Sequence, residues 1–144
     1  MKRFKFELEK ILDLRKHREK ETEIALVKAR GVLNEIENKI VMMDAEKERI
    51  SKEVPQSMSD IVAFDRYIQR LDVTKDNLLV EAEKAQRKVN EKLDIYYKAS
   101  RERKVLDNIK ERRAQEYRKF VLAEETKILD DLANGVKARK MAMG

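Results

Sequence analysis

Two long rows of apolar residues, spaced alternately three and four apart, restrict the fold of this chain more than any other feature. The first row reads Leu8, Leu12, Arg15, Glu19, Thr22, Leu26, Ala29, Leu33, Ile36, Ile40, Met43, Lys47, Ile50 and Val54, and ten of these fourteen are apolar. The second reads Ile61, Phe64, Ile68, Leu71, Lys75, Leu78, Ala82, Ala85, Val89, Lys92, Tyr96, Ala99, Arg103 and Leu106, with eleven of fourteen apolar. A mean interval of about 3.5 residues follows one side of an α-helix and forms the seam of a coiled coil. Composition alone leaves a rival, because a chain with 43% charged residues can remain disordered. Disordered chains are rich in Pro, Gly and Ser, however, and this one has 1 Pro and 3 Gly in 144 residues. The rows also far exceed the 42% apolar share of the whole chain. The fold class is therefore all-α, a long antiparallel two-helix coiled coil (an α-hairpin) with an overhanging C-terminal helix.

The two rows are separated by the one proline, in Val54-Pro55-Gln56-Ser57-Met58-Ser59-Asp60. Proline disfavours helix at the residue before it and cannot donate the hydrogen bond of an interior helix position. Ser57 and Asp60 fit a capping box for the helix that follows. The organisation expected is a single coiled-coil hairpin over residues 1–144, with helix 1 at about 4–53, a turn at 54–59 and helix 2 at about 60–134. Asn134-Gly135 offers a C-terminal pair, since glycine accepts the left-handed conformation, so residues 135–144 are expected to fray. Facing residues should have numbers summing to about 115, which sets Leu26 near Val89, Ile36 near Leu78, Met43 near Leu71 and Leu8 near Leu106. The polar seam positions Arg15, Glu19 and Thr22, facing Lys92, Tyr96 and Arg103, should be the loosest part. Beyond about Glu111 helix 2 should lack a partner, although Tyr117 and Phe120 keep the seam spacing.

Little in the chain points to catalysis or a cofactor. There is no Cys, no glycine-rich phosphate loop and a single histidine, His17, between Lys16 and Arg18. Carboxylates beside Lys and Arg on helices serve as solubilising partners three or four residues apart. The expectation is a non-enzymatic protein with no cofactor, no metal and no catalytic residue. The absence of cysteine suits a reducing compartment. The N-terminus MKRFKFELEK lacks the continuous apolar run of a signal peptide, so a cytoplasmic location is expected. Phe4 and Phe6 offer too little apolar area for membrane insertion. The net charge of +6 is uneven: residues 1–20 hold 8 basic and 4 acidic residues, and residues 101–144 hold 12 basic and 8 acidic. Basic residues are interleaved with Glu throughout, without a recognition helix or stacking motif, and specific nucleic-acid binding is not expected. Function must then reside on the surface. Tyr67, beside the seam near the start of helix 2, is the aromatic best placed either to contact a partner or to flank the hairpin.

Three stretches together resemble the FliJ family of the bacterial flagellar type III export apparatus. They are Phe4-Lys5-Phe6 with Leu8, Lys10, Ile11, Leu12, Leu14 and Arg15; Phe64-Asp65-Arg66-Tyr67-Ile68-Gln69-Arg70-Leu71; and Glu124-Glu125-Thr126-Lys127-Ile128-Leu129-Asp130-Asp131 ahead of a basic tail. The resemblance implies a stalk or escort component, similar in shape to the two-helix coiled coil of the rotary ATPase gamma subunit. Implied partners are the hexameric flagellar export ATPase, the cytoplasmic domain of the transmembrane export gate, and export chaperones. By motif, the implied gate contact is Tyr67, Leu71 and Thr74, with Asn38 and Met42. Leu71 also falls in the seam, so either the seam opens near the tip or Leu71 is structural. The implied ATPase contact is regional: Phe4, Leu8, Leu12, Arg15, Glu124, Lys127, Asp130 and Asp131. Free in solution the chain should be a monomer, and its location should be cytoplasmic, peripheral to the inner-membrane export apparatus. Two other readings stay open, the equivalent stalk of a virulence-type injectisome and a homodimeric coiled-coil scaffold.

Overall fold

A computed structural model of the chain describes residues 3–143. Two long helices pack against each other, α1 (Glu9–Ser51) and α2 (Met58–Met143), with no strand among the described residues. The buried residues fall on the two apolar rows: Leu12, Thr22, Leu26, Leu33 and Ile50 on α1, and Leu71, Leu78, Ala85, Val89 and Ala99 on α2. Among the described residues, those buried outside the rows are Phe6 and Ser100. The rows fail at the turn, where Val54 is 82% exposed and Ile61 about half exposed.

The link between the helices follows its side-chain chemistry. At the end of α1, Lys52 and Glu53 donate their backbone N–H groups to the carbonyls of Arg49 and Ile50, at 3.3 and 3.1 Å. These tighter i to i−3 contacts serve two of the last carbonyls of α1, and Pro55, which has no N–H to offer the Ser51 carbonyl, keeps the helix from continuing. Ser57 then caps α2. Its hydroxyl accepts the Asp60 N–H at 3.1 Å, and the Asp60 carboxylate accepts the Gln56 N–H at 3.2 Å. The expected pairing of Ser57 with Asp60 is thus formed, and α2 begins at Met58, two residues earlier than the spacing suggested.

The chain divides into two compact units, Met1–Lys16 with Arg101–Gly144, and His17–Ser100. In the second unit, Leu26, Leu33, Ala85 and Val89 form the core, flanked by Ala29, Ile36, Ala82, Leu93 and Tyr96. Cross-helix contacts run antiparallel here: Asp44 meets Lys75 at 2.6 Å, and Lys47 meets Asp72 at 2.8 Å. Both pairs sum to 119, so the long charged side chains bridge in a register offset from the expected 115. Thr22, expected to loosen the seam, is instead buried. Its hydroxyl donates to the Glu19 carbonyl at 2.8 Å, leaving only its methyl to face the neighbours.

The first unit contains two departures from sequence expectation. Residues 3–6 are not helical, and α1 starts at Glu9 rather than near Phe4. Extended chain advances about 3.3 Å per residue against 1.5 Å in a helix. The short arm therefore reaches further along α2 than a helical start would. The Phe4 ring lies 5.7 Å from that of Tyr117, and the Arg113 guanidinium sits over the Phe6 ring at 5.7 Å. Helix α2 is thus partnered well past Glu111. The second departure lies at the other end, where α2 runs through Asn134-Gly135 to Met143 instead of fraying there. Gly135 does not take the left-handed conformation of a terminal cap, so nothing turns the chain. Gly144, the last residue expected to fray, lies outside the described residues.

Candidate interaction surfaces

Three surfaces present more than a solvated helix face, one in the first unit and two in the second. The first is an open cleft between the N-terminal arm and α2, lined by Arg3, Phe4, Lys5, Arg113, Glu116, Tyr117 and Phe120. The extended arm places Phe4 against Tyr117, and one further turn of α2 brings up Phe120, whose side chain stays 61% exposed. Arg3, Lys5 and Arg113, against the single carboxylate Glu116, give the rim beside these rings a net positive charge. Spacing in the sequence marks Tyr117 and Phe120, whereas Arg3, Lys5 and Arg113 join them through the fold. The available signal was a basic residue, Arg113, standing at a seam position.

Residues of the regional ATPase assignment have unlike surroundings. Phe4 and Leu8 are half-buried, and Leu12 is 0% exposed, so Leu12 supports the unit from within. Arg15 is tied to Glu102 at 2.6 Å, and beside it Glu9 receives Lys110 at 2.8 Å. Glu124, Lys127, Asp130 and Asp131 are all exposed on α2 beyond the cleft. They share that segment with exposed Leu122, Ile128, Leu129 and Leu132. The acidic stretch is therefore amphipathic, with no facing helix among the described residues.

The second surface lies near the start of α2. The Tyr67 hydroxyl donates to Glu46 Oε1 at 3.0 Å, and Arg49 grips the same carboxylate through Nε at 3.0 Å and Nη2 at 2.7 Å. Arg49 also reaches Glu53 at 2.8 Å. Held by Arg49 and then by Tyr67, the Glu46 carboxyl is lowered to about 2. The same hydrogen bond, joined by partial burial, pushes the Tyr67 phenol above its ordinary value. Tyr67 thus clamps the two helices together, and only part of its ring faces outward. Leu71, at 9% exposure, sits between the helices and offers no outward face. Asn38, Met42 and Thr74 are exposed, Met42 at 71%. Thr74 shares a shallow depression with Arg66, Gln69, Arg70 and Val73, while Asn38 and Met42 lie one turn apart on α1.

The third surface is a groove in the same unit, floored by alanines and edged by lysines. No group of His, Cys, Asp or Glu among the described residues could hold a metal ion. His17 is exposed and pairs with Glu21 at 2.9 Å. No described helix is long and apolar enough to cross a membrane. Comparison with known families finds one described as Flagellar FliJ protein, whose model matches residues 4–142 of this chain. No curated protein and no solved structure matches it.

Proposed function

This chain belongs to the FliJ family, which implies a role in flagellar protein export, and from that premise we propose that it is a non-enzymatic stalk or escort of the export apparatus. In this reading the two helices form an antiparallel coiled-coil hairpin, monomeric when free and cytoplasmic. It docks on the hexameric export ATPase and also contacts the export gate and export chaperones. The observation that carries the docking assignment is the aromatic and basic cleft of the first unit, where Phe4, Tyr117 and Phe120 are ringed by Arg3, Lys5 and Arg113. An exposed ring among cations combines apolar area with electrostatic steering toward an acidic surface. The amphipathic acidic stretch from Glu124 to Asp131 extends that contact along α2. Gate contact falls to Tyr67, Thr74, Asn38 and Met42, with Leu71 holding the seam beneath them.

Hydrolysis by the purified cognate export ATPase, with and without equimolar chain, tests this proposal. Stimulation should be lost in Phe120→Asp, which keeps its helical circular dichroism, and retained in Met42→Ala. A wild-type chain that neither stimulates hydrolysis nor co-sediments with the ATPase hexamer would refute it. Light scattering at the 17.1 kDa of one chain supports the monomer, and a doubled mass supports the scaffold instead.

A further inference from the structure

The groove in the unit His17–Ser100 is built differently from the rest of that unit's surface. Ala25, Ala29 and Ala85 form its floor, and about 380 Å³ of open volume lies above them. Small side chains on both helices create the hollow, since a larger residue at any of these positions would fill it. The groove continues toward Arg18 and Ile95, sharing Ala25 and Lys92 with a second depression. From Arg18 to Val32 it follows α1 for about 20 Å at 1.5 Å per residue. Val32 and Ile95, at opposite ends, are both substantially exposed.

Charge along the edges is one-sided. Lys28, Lys88 and Lys92 line the groove, and none of them has a hydrogen bond or ion pair among the described residues. Lys47 and Lys75 of the same unit are instead paired across the helices to Asp72 and Asp44, whereas Lys39, Lys84 and Lys98 are unpaired among the described residues but line neither depression. The one carboxylate in the groove, Glu21, is already engaged by His17 and lies 4.0 Å from Arg18. An apolar floor edged by uncompensated cations complements one kind of ligand: a helix with an apolar stripe and acidic flanks. Alanines on the floor let such a helix approach to the short end of the usual 8–10 Å spacing, its stripe covering Val32 and Ile95 and its carboxylates meeting the lysines.

We propose that this groove is a docking site for an acidic amphipathic helix of a partner protein. Other occupants fit the same features less well. A nucleic-acid backbone would satisfy the lysines but leave the alanine floor, Val32 and Ile95 without apolar cover. A second copy binding face to face would oppose three lysines with three lysines. The proposal concerns a surface separate from the aromatic cleft and does not depend on the ATPase contact.

A labelled synthetic peptide tests it: about fourteen residues, the helical length that matches the groove, with Leu spaced alternately three and four apart and Glu on both flanks. It is titrated into the full chain by fluorescence anisotropy at low and high salt, beside peptides carrying Gln or Lys in place of Glu. The Glu peptide should bind, should weaken with salt, and should bind roughly tenfold more weakly to Lys28→Glu/Lys88→Glu. That doubly exchanged chain, unchanged in circular dichroism, should now prefer the Lys peptide. Equal binding of the Glu and Gln peptides, or no effect of the double exchange, overturns the proposal. It is also overturned if the mass of the free chain grows with concentration and the growth vanishes in the double exchange, which would assign the groove to a second copy. Competition by a duplex RNA that is lost in the same exchange would assign it to nucleic acid.

Discussion

Replacing Gly135 by alanine discriminates between a helix that continues and one that stops. Glycine inside a helix is less favourable than alanine by about 0.5–1 kcal/mol, because its unfolded backbone has more freedom to lose. Gly135 lies within α2, takes no left-handed conformation, and leaves open space where a Cβ would stand. Alanine therefore meets no clash, and the full propensity gain should appear in the local helix equilibrium. Taking about 0.8 kcal/mol, the ratio of helix to coil around this position rises about fourfold. Amide hydrogen exchange of the full chain, read residue by residue from 132 to 142, should slow by that factor. Were Gly135 a left-handed cap, the sign would reverse, since an L-residue there costs about 1–2 kcal/mol. Faster exchange in Gly135→Ala, or exchange at the coil rate in both chains, would refute the continuous helix.

Leu12→Ala should destabilise the chain by about 3 kcal/mol in urea unfolding, whereas Leu122→Ala on the open face of α2 should stay within about 0.5 kcal/mol. Ser57→Ala removes the hydroxyl that accepts the Asp60 N–H, and a loss of about 1 kcal/mol is expected from the same measurement. Glu46, lowered from 4.5 to about 2, contributes stability that is fully present above pH 4.5 and is lost as the pH falls toward 2. Thermal melts of Glu46→Gln should therefore show a shallower decline across that window than the wild type, and an identical decline would remove the pairing as its cause.

Sequence spacing located the core almost residue by residue, because a seam of alternating three- and four-residue steps has one way to bury itself between two helices. Leu26, Leu33, Leu78 and Val89 were readable for that reason. Spacing could not reveal that residues 3–6 leave the helix, since Phe4 and Phe6 satisfy their contacts by reaching Tyr117 and Arg113 in extended form. Nor could it decide Gly135, whose intrinsic preference for a terminus is weak beside the strong helix formers around it. The candidate sites were less legible. Leu71 carries both a motif resemblance and a seam position, and it lies buried between the helices. For Tyr67 a partner contact and a flank of the hairpin stay open in the sequence, because Glu46, which accepts its hydroxyl, lies 21 residues away on the other helix. The alanine-floored groove was invisible because small residues in a seam look unremarkable until their neighbours are known to be lysines.

In neither unit does a third layer cover the seam. Leu33 and Ala85 keep 8% exposure and Leu26 keeps 4%. Solvent therefore stands one side chain away from every hydrophobic contact. A methyl group deleted from Leu26 or Leu33 would leave a dent beside solvent rather than a closed void, so neighbouring side chains can close it and the lost transfer energy should make up most of the cost. Such a molecule has little sealed interior, and its packing errors lie next to its surface.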